Sequence, residues 1–204
     1  SDDSSVTFEV LARFGRLKDV DALISYEGEK WFRCYPFEVD ASTGANLHIL
    51  GALRQAGYQK EHPLIWKILQ FLASKREPGG YWFDKWHTSP YYITSHAVIL
   101  CSEYDNDLCE VAVNWMISTQ KADGSWGFFG FSTAEETAYC IQALIFWRRS
   151  GGKIPPGRLE LAIQWLRNHA EPLYPWLWIG KTLYYPELLV QSSILSALAL
   201  ADEG

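Results

Sequence analysis

Residues 120–147 read QKADGSWGFFGFSTAEETAYCIQALIFW. A polar, glycine-bearing, aromatic loop runs to Thr133, and from Ala134 to Trp147 the chain is rich in Ala, Ile and Leu at helical spacing. A helix so poor in polar residues is expected to be covered on most sides. The outer segments differ. His62 to Arg76 carries Leu64, Ile65, Ile68, Leu69 and Leu72 with Lys, Arg and Gln between them, which leaves one wet face. Gly157 to Ala170 does the same through Leu161, Ile163, Trp165 and Leu166.

Outward from this pair the same alternation recurs along the chain. One series of helices begins near Ser4, Ser42, Tyr91, Thr133 and Glu187, at steps of 38, 49, 42 and 54 residues. A second series lies between them: Asp19 to Glu27, His62 to Arg76, Asp107 to Thr119 and Gly157 to Ala170. Gly15, Gly57, Gly79-Gly80 and Gly151-Gly152 follow apolar segments as stops, and Pro63, Pro155-Pro156 and Pro186 stand at starts. No strand series is evident. The connections from the wet to the dry helices are long and carry aromatics at related places: Trp31-Phe32-Arg33, Tyr81-Trp82-Phe83-Asp84, Ser125-Trp126-Gly127-Phe128 and Trp176-Leu177-Trp178-Ile179-Gly180. Either an open solenoid or a closed α/α barrel fits this alternation. The long aromatic loops favour the barrel, because they can cover one rim of a cavity.

The expected fold is therefore all-α, an α/α barrel of about five inner and four outer helices. A closed barrel of six hairpins needs twelve, so residues 1–204 are expected to form most of one barrel domain, incomplete at its N-terminus. The chain also opens on Ser1-Asp2-Asp3-Ser4-Ser5, without a starting Met.

With 48% hydrophobic and 21% charged residues over 204, the chain is not disordered or low in complexity. The net charge of -6 and the absence of a Lys/Arg block argue against nucleic-acid or anionic-membrane partners. Apolar runs such as Ile194 to Ala201 fall well short of the ~18 residues of a membrane span, and no signal segment stands at the start. A cytoplasmic location is the expectation. Cys34, Cys101, Cys109 and Cys140 show no C-x-x-C pair and read as buried thiols of a reducing compartment. Ten Trp, eleven Tyr and ten Phe form a heavy aromatic load. Rings of that number either fill a large core or serve a chemistry that wants rigid π-faces.

The segment Gln120 to Gly127, preceded by Trp115, resembles the Gln-Trp repeat of triterpene and diterpene cyclases, in which Gln caps one helix and Trp packs over the next. The opening SDDSSVTFEVLARFG resembles the tail of the D-x-D-D motif of class II diterpene cyclases. Four further tracts resemble bacterial labdane-type members in the same order: FRCYPFEVDASTGANLHILGALRQAG, YWFDKWHTSPYYITSHAV, TQKADGSWGFFGFSTAEETAYCIQAL and LWIGKTLYYPELLVQSSILSALAL. Together they span nearly the whole chain. The resemblance implies a protonation-initiated cyclisation of geranylgeranyl diphosphate to a bicyclic, copalyl-type diphosphate, with the diphosphate retained. It implies that Ser1 is the variable residue of the motif, that Asp2 donates the proton and that Asp3 is its neighbour. The motif's first aspartate would precede Ser1. Asn46 matches an Asn that family members hold against the acid. Magnesium is implied by the diphosphate, and a helical γ domain of the same polypeptide by the family's domain plan. No D-D-x-x-D motif of ionising synthases occurs, so no metal-binding residues are assigned within the chain.

The chemistry is consistent on its own terms. An alkene is a very weak base, so a carboxylic acid protonates it only if held neutral, oriented and dry. Two adjacent carboxyls in a dry cavity cannot easily both ionise, which would keep one of them protonated. Asp2 and Asp3 in a first helical turn also serve as simple caps. Ring faces stabilise a desolvated cation by about 1–2 kcal/mol each. Trp82, Trp86, Tyr91, Tyr92 and Trp178 are the candidates for this lining, ahead of Phe128 and Phe129. His87, in KWHTS, is a candidate for the terminal base, alone or through water, and His96 reads as a satisfied core histidine. Lys181 and Lys85 are candidate diphosphate contacts. Three other readings compete: a squalene-type cyclase, a prenyltransferase β-like subunit with zinc on Asp107, Cys109 and His169, and a barrel that binds prenyl chains without catalysis.

Overall fold

The computed structural model describes residues 1–16, 20–171 and 173–203. Asp19, at the expected start of the first outer helix, lies outside them. The chain divides into two compact units, Ser1–Arg76 and Glu77–Gly204.

The first unit holds α1 (Asp2–Arg13), α2 (Asp21–Ile24), α3 (Thr43–Gln55) and α4 (Pro63–Lys75). α3 packs on both α1 and α4. Ser42 starts α3 by accepting the Ala45 N–H on its hydroxyl at 3.0 Å, and Gly57 ends the segment in the left-handed region at φ 88°. Ten of the thirteen α3 residues are buried, which makes it the core of this unit. α4 starts on Pro63, with the His62 ring capping Leu64 N, and buries Leu64, Ile65, Ile68, Leu69, Phe71 and Leu72 on one face only. Each such burial is worth about 1.5–3 kcal/mol. α2 is a single turn, shorter than the expected Asp19 to Glu27. The chain reverses at once after it: Glu27 bridges to Phe32, and Gly28 N donates to Trp31 O.

The second unit holds α5 (Pro90–Cys101), α6 (Asn106–Thr119), α7 (Ala134–Arg149), α8 (Arg158–Asn168), β1 (Trp178–Ile179), β2 (Leu183–Tyr184) and α9 (Glu187–Asp202). α7 is its centre and packs on α5, α6, α8 and α9. Ser89, Asp105 and Thr133 cap α5, α6 and α7 through their side chains. α5 and α7 are buried nearly all round, whereas α6 and α8 bury one stripe. The Gln-Trp segment ties three helices together. Trp126, fully buried, donates its indole N–H to Met116 O near the end of α6 and its backbone N–H to the Thr137 hydroxyl on α7. Gln120 donates to Gly124 O and to Arg158 O in α8, both at 2.9 Å.

Two expectations need correction. α9 reads as a covered helix, yet it buries only Val190, Ile194 and Ala197, and Leu188 is 77% exposed. α1 likewise buries only Ser5 and Phe8, and leaves out Val6, Val10, Leu11 and Phe14. Within the described residues, α1 packs mainly on α3, and α9 mainly on α7 with a smaller contact to α8, so much of each helix surface finds no partner. The strand-free reading also misses β1 and β2, an antiparallel pair that turns at Gly180-Lys181-Thr182. This hairpin matters because it pairs with the 84–88 loop: Thr88 N donates to Leu177 O, Ile179 N donates to Trp86 O, and His87 bridges to Trp178.

Candidate active site

In the first unit, Asp2 and Asp3 occupy the first turn of α1, as expected. Successive helical residues point about 100° apart, so the two carboxyls do not face each other. Asp3 is exposed, and the Asp2 side chain is 38% exposed. The dry carboxyl pair anticipated from the sequence is therefore not formed by these residues. Asp2 instead meets an imidazole: His48 Nδ1, on α3, lies 2.5 Å from Asp2 Oδ1. The N-terminus of the chain is anchored beside it, with the Ser1 ammonium donating to Cys34 O and the Ser1 hydroxyl to Arg33 O.

Asn46 sits two residues earlier on α3, fully buried, and its amide is used on backbone. Oδ1 accepts from Phe32 N at 2.8 Å, while Nδ2 donates to Phe32 O and Ser42 O, both at 2.9 Å. Oδ1 and one amide proton thus fasten Phe32 of the 31–33 loop to α3, and the other amide proton is spent on the carbonyl of the Ser42 cap. His48, which sequence reasoning missed, is the α3 residue in contact with Asp2.

In the second unit a denser cluster forms around Glu135, in the first turn of α7. Its side chain is 0% exposed. Oε1 accepts from the Trp178 indole at 2.8 Å, lies 3.1 Å from the Tyr139 hydroxyl and 3.3 Å from His87 Nε2. The other oxygen, Oε2, is buried without a hydrogen-bond partner. His87 is fixed from both sides, since its Nδ1 lies 3.0 Å from Ser89 O and 3.1 Å from Ser89 N. A carboxylate at Nε2 requires a proton on that nitrogen whichever Ser89 group Nδ1 uses. The imidazole stacks on Tyr92 at 4.8 Å and meets Trp178 edge-on at 5.1 Å. Burial, and secondly the charge of Glu135, push the Tyr139 phenol well up, so it stays a neutral donor.

The neighbouring Glu136 is also buried, but both its oxygens are used. Oε1 accepts from Ser89 Oγ and Phe128 N, and Oε2 from the Thr133 hydroxyl, which in turn caps Glu136 N. Sequence reasoning singled out neither acid. The available signal was their place at the head of a helix expected to be covered on most sides, which forces such acids inside.

The remaining candidates separate. Tyr92 and Trp178 belong to the Glu135 cluster. Trp82 and Tyr91 are core rings rather than lining: Trp82 has no exposed surface, and Tyr91 packs on Trp115 of α6 at 4.8 Å with its phenol raised by burial. Trp86 is exposed beneath the Lys85 ammonium. Lys181 is exposed in the β1–β2 turn. Cys109 is enclosed with its thiol pushed up to about 12, and the His169 ring stacks on Trp165. Among the described residues no three His, Cys, Asp or Glu side chains are grouped to hold a metal ion. No helix is long and apolar enough to cross a membrane.

An all-α array of alternating buried and amphipathic helices, tied by a Gln-Trp segment and carrying an acid at the head of α1, defines a terpene-cyclase type of domain. The comparisons agree, and the chain belongs to the squalene-hopene cyclase C-terminal domain family, whose pattern it matches over residues 38–176. It is 50% identical, over its full length, to 41% of a type B diterpene cyclase of Mycobacterium tuberculosis. It is 34% identical to an ent-copalyl diphosphate synthase of a Streptomyces species, covering 98% of this chain and 40% of that one. Among solved structures, the ent-copalyl diphosphate synthase from Streptomyces platensis superposes with a TM-score of 0.87 at 33% identity, over 99% of this chain and 41% of the other. The chain thus spans about two fifths of the length of these relatives.

Proposed function

We propose that the protein carrying this chain is a class II diterpene cyclase that converts geranylgeranyl diphosphate into a bicyclic copalyl-type diphosphate without releasing the diphosphate. The observation that carries the reading is Asp2 at the head of α1 with the His48 ring on one of its oxygens. In the neutral acid, a His48 N–H donates to Oδ1, and the acid proton is the one that passes to the terminal alkene. As that proton departs, charge builds on the carboxyl, and the same hydrogen bond becomes charge-assisted. A contact that strengthens along the reaction accelerates it. The N-terminal end of α1 acts in the same direction, because its free N–H groups favour the carboxylate being formed. Asp3 belongs to the motif but contributes from the exposed side of the turn. Asn46 contributes by holding the 31–33 loop on α3.

The relatives named diterpene cyclase and copalyl diphosphate synthase support the substrate class. Tyr92 and Trp178 present rings of the kind that stabilises a cation at about 1–2 kcal/mol each. The diphosphate remains in the product, so no ionising metal cluster is required. Magnesium is proposed only as its counter-ion, with Lys181 as a flexible contact on the hairpin turn. Residues 1–204 are proposed to be most of one α/α-barrel β domain, working in the cytoplasm with a helical γ domain of the same polypeptide.

The test is to incubate the complete polypeptide with geranylgeranyl diphosphate and magnesium, remove the phosphates and identify the alcohols by mass spectrometry, alongside Asp2→Ala. A bicyclic alcohol that vanishes in the variant is expected. Geranylgeraniol alone from both samples, with squalene consumed instead, would overturn the diterpene reading.

A further inference from the structure

We infer that the groove between α4 and the 28–31 turn is a binding site for one long-chain carboxylate, the anion of a fatty acid. The site lies wholly within the first unit and is independent of the cyclase reading. It offers about 500 Å³, within the range of small-molecule sites. Trp31 on the turn and Pro63, Trp66 and Phe71 on α4 give it apolar walls. Trp66 is 55% exposed, a large ring on the wet face of an outer helix. From Pro63 to Lys75 the groove follows α4 for about 18 Å at the helical rise of 1.5 Å per residue, which suits an extended chain better than a compact ligand. The turn is held in place by the protein itself. Gly28 N donates to Trp31 O and Arg33 N to Tyr26 O, both at 2.9 Å, and the Lys67 ammonium reaches from α4 to the Glu27 carboxylate and the Gly28 carbonyl. A preformed cleft spares the ligand much of the cost of ordering the protein around it.

Charge selects the head group. Lys67 lines the groove, but its charge is met by Glu27. The other charged lining residues are Lys30, Lys75 and Glu29, two positive charges less one negative, so the rim balances a monoanion. A diphosphate carries more negative charge than that. The Trp31 indole N–H adds a second reason for an acceptor: it is buried without a hydrogen-bond partner, although Trp31 is one of the walls. A donor left unmet costs stability, and a carboxylate oxygen is the kind of acceptor it lacks. The N–H is closed off from solvent, so the ring turns slightly for the two to meet. Its contact with Phe71, tilted with ring centroids 6.0 Å apart, is not a close stack that would resist the turn. The chain of the ligand then lies along Trp66 and Phe71, with the aliphatic stem of Lys75 beside it.

The test titrates dodecanoate, below its micelle concentration, into the complete polypeptide labelled at its tryptophan indole nitrogens, with heat read by calorimetry and indole N–H resonances by NMR. The resonance missing from Trp31→Phe identifies that of Trp31. One dodecanoate should bind per chain and move this resonance downfield as the N–H gains an acceptor. Lys30→Glu and Lys75→Glu should each weaken binding about tenfold. Trp66→Ala, which removes an exposed ring and is checked for fold by circular dichroism, should weaken it by a similar factor, about tenfold. Dodecanol, with the same chain and no charge, should bind more weakly, and geranylgeranyl diphosphate should displace dodecanoate poorly. Absence of saturable binding overturns the inference, as does binding that leaves the Trp31 resonance in place or survives Trp66→Ala undiminished. Equal affinity for dodecanol, or ready displacement by the diphosphate, overturns the choice of a monoanion. Binding only to micelles or to phosphatidylcholine vesicles would make the groove a contact with a lipid surface and overturn the single-chain site. Turnover enters none of these readouts, so a failure here leaves the cyclase reading where it stands.

Discussion

His48 Nδ1 stands 2.5 Å from Asp2 Oδ1, across from α3 to the first turn of α1, and this contact sets the acid apart from its neighbour Asp3. A hydrogen bond to a charged group is worth about 1.5–3 kcal/mol. Where it strengthens only as the proton leaves, the same figure appears in the barrier, at one decade of rate per 1.4 kcal/mol. His48→Ala in the complete enzyme should therefore lower kcat by about ten- to a hundredfold with little change in KM. Asp2→Ala should abolish turnover, and Asp3→Ala should act less severely than Asp2→Ala. Steady-state kinetics decide the point; equal losses for Asp2 and Asp3 would return the site to a carboxyl pair.

Asn46 answers to a different measurement. Its three bonds to Phe32 and Ser42 are buried, and Asn46→Ala leaves Phe32 N and O without these partners. The cost should be about 2–4 kcal/mol. For a protein of this size class, that is a fall in Tm of roughly 2–4 °C per kcal/mol. Thermal denaturation and single-turnover kinetics on the same sample separate the roles: a large loss of Tm with modest loss of rate below the melting range is expected. A normal Tm with lost turnover would place Asn46 on the acid itself.

The helical alternation was legible because burial writes itself into periodicity: α3, α5 and α7 read as dry and α4, α6 and α8 as wet, with starts near Ser42, Tyr91 and Thr133, where the structure has side-chain caps at Ser42, Ser89 and Thr133. What was not legible depends on direction rather than composition. Asp2 and Asp3 are neighbours in sequence yet diverge around the helix, and His48 and Asn46, two apart on α3, do different work. Glu135 and Glu136 are chemically identical, and only the geometry around α7 shows one saturated and the other with a bare oxygen. The 84–88 loop and the β1–β2 hairpin join by backbone pairing that carries no residue signature, so Trp178 could not be placed beside His87 from sequence.

Alkaline pH should unfold the protein in a predictable window. Burial, with Asp105 second, pushes the Cys109 thiol up to about 12, and burial raises Cys140 as well. In the unfolded chain a thiol ionises near 8.5. Above that value the unfolded state binds fewer protons than the native one, so stability present below it is lost until the native thiol itself titrates. Each such thiol contributes a fall of about 1.4 kcal/mol per pH unit across the window. The Tm should hold level up to about pH 8 and decline above it, and Cys109→Ala should make that decline shallower. A Cys109→Ala profile parallel to the parent's would refute the assignment.

The apolar faces of α1 and α9 test whether residues 1–204 are one part of a larger barrel. Phe14 is 76% exposed and Leu195 67% exposed, and Val10 and Leu188 extend the two faces along their helices. Substitutions at positions that truly face water change stability by no more than about 0.5 kcal/mol. A charge placed where another helix covers the site costs several times that, since it is buried without a partner. In the complete polypeptide, Val10→Glu and Leu195→Glu should each destabilise by about 2 kcal/mol or more, read from denaturant midpoints at unchanged slope. Near-neutral effects at both positions would mean that the faces stay open to solvent, and the barrel reading of the domain would fall with them.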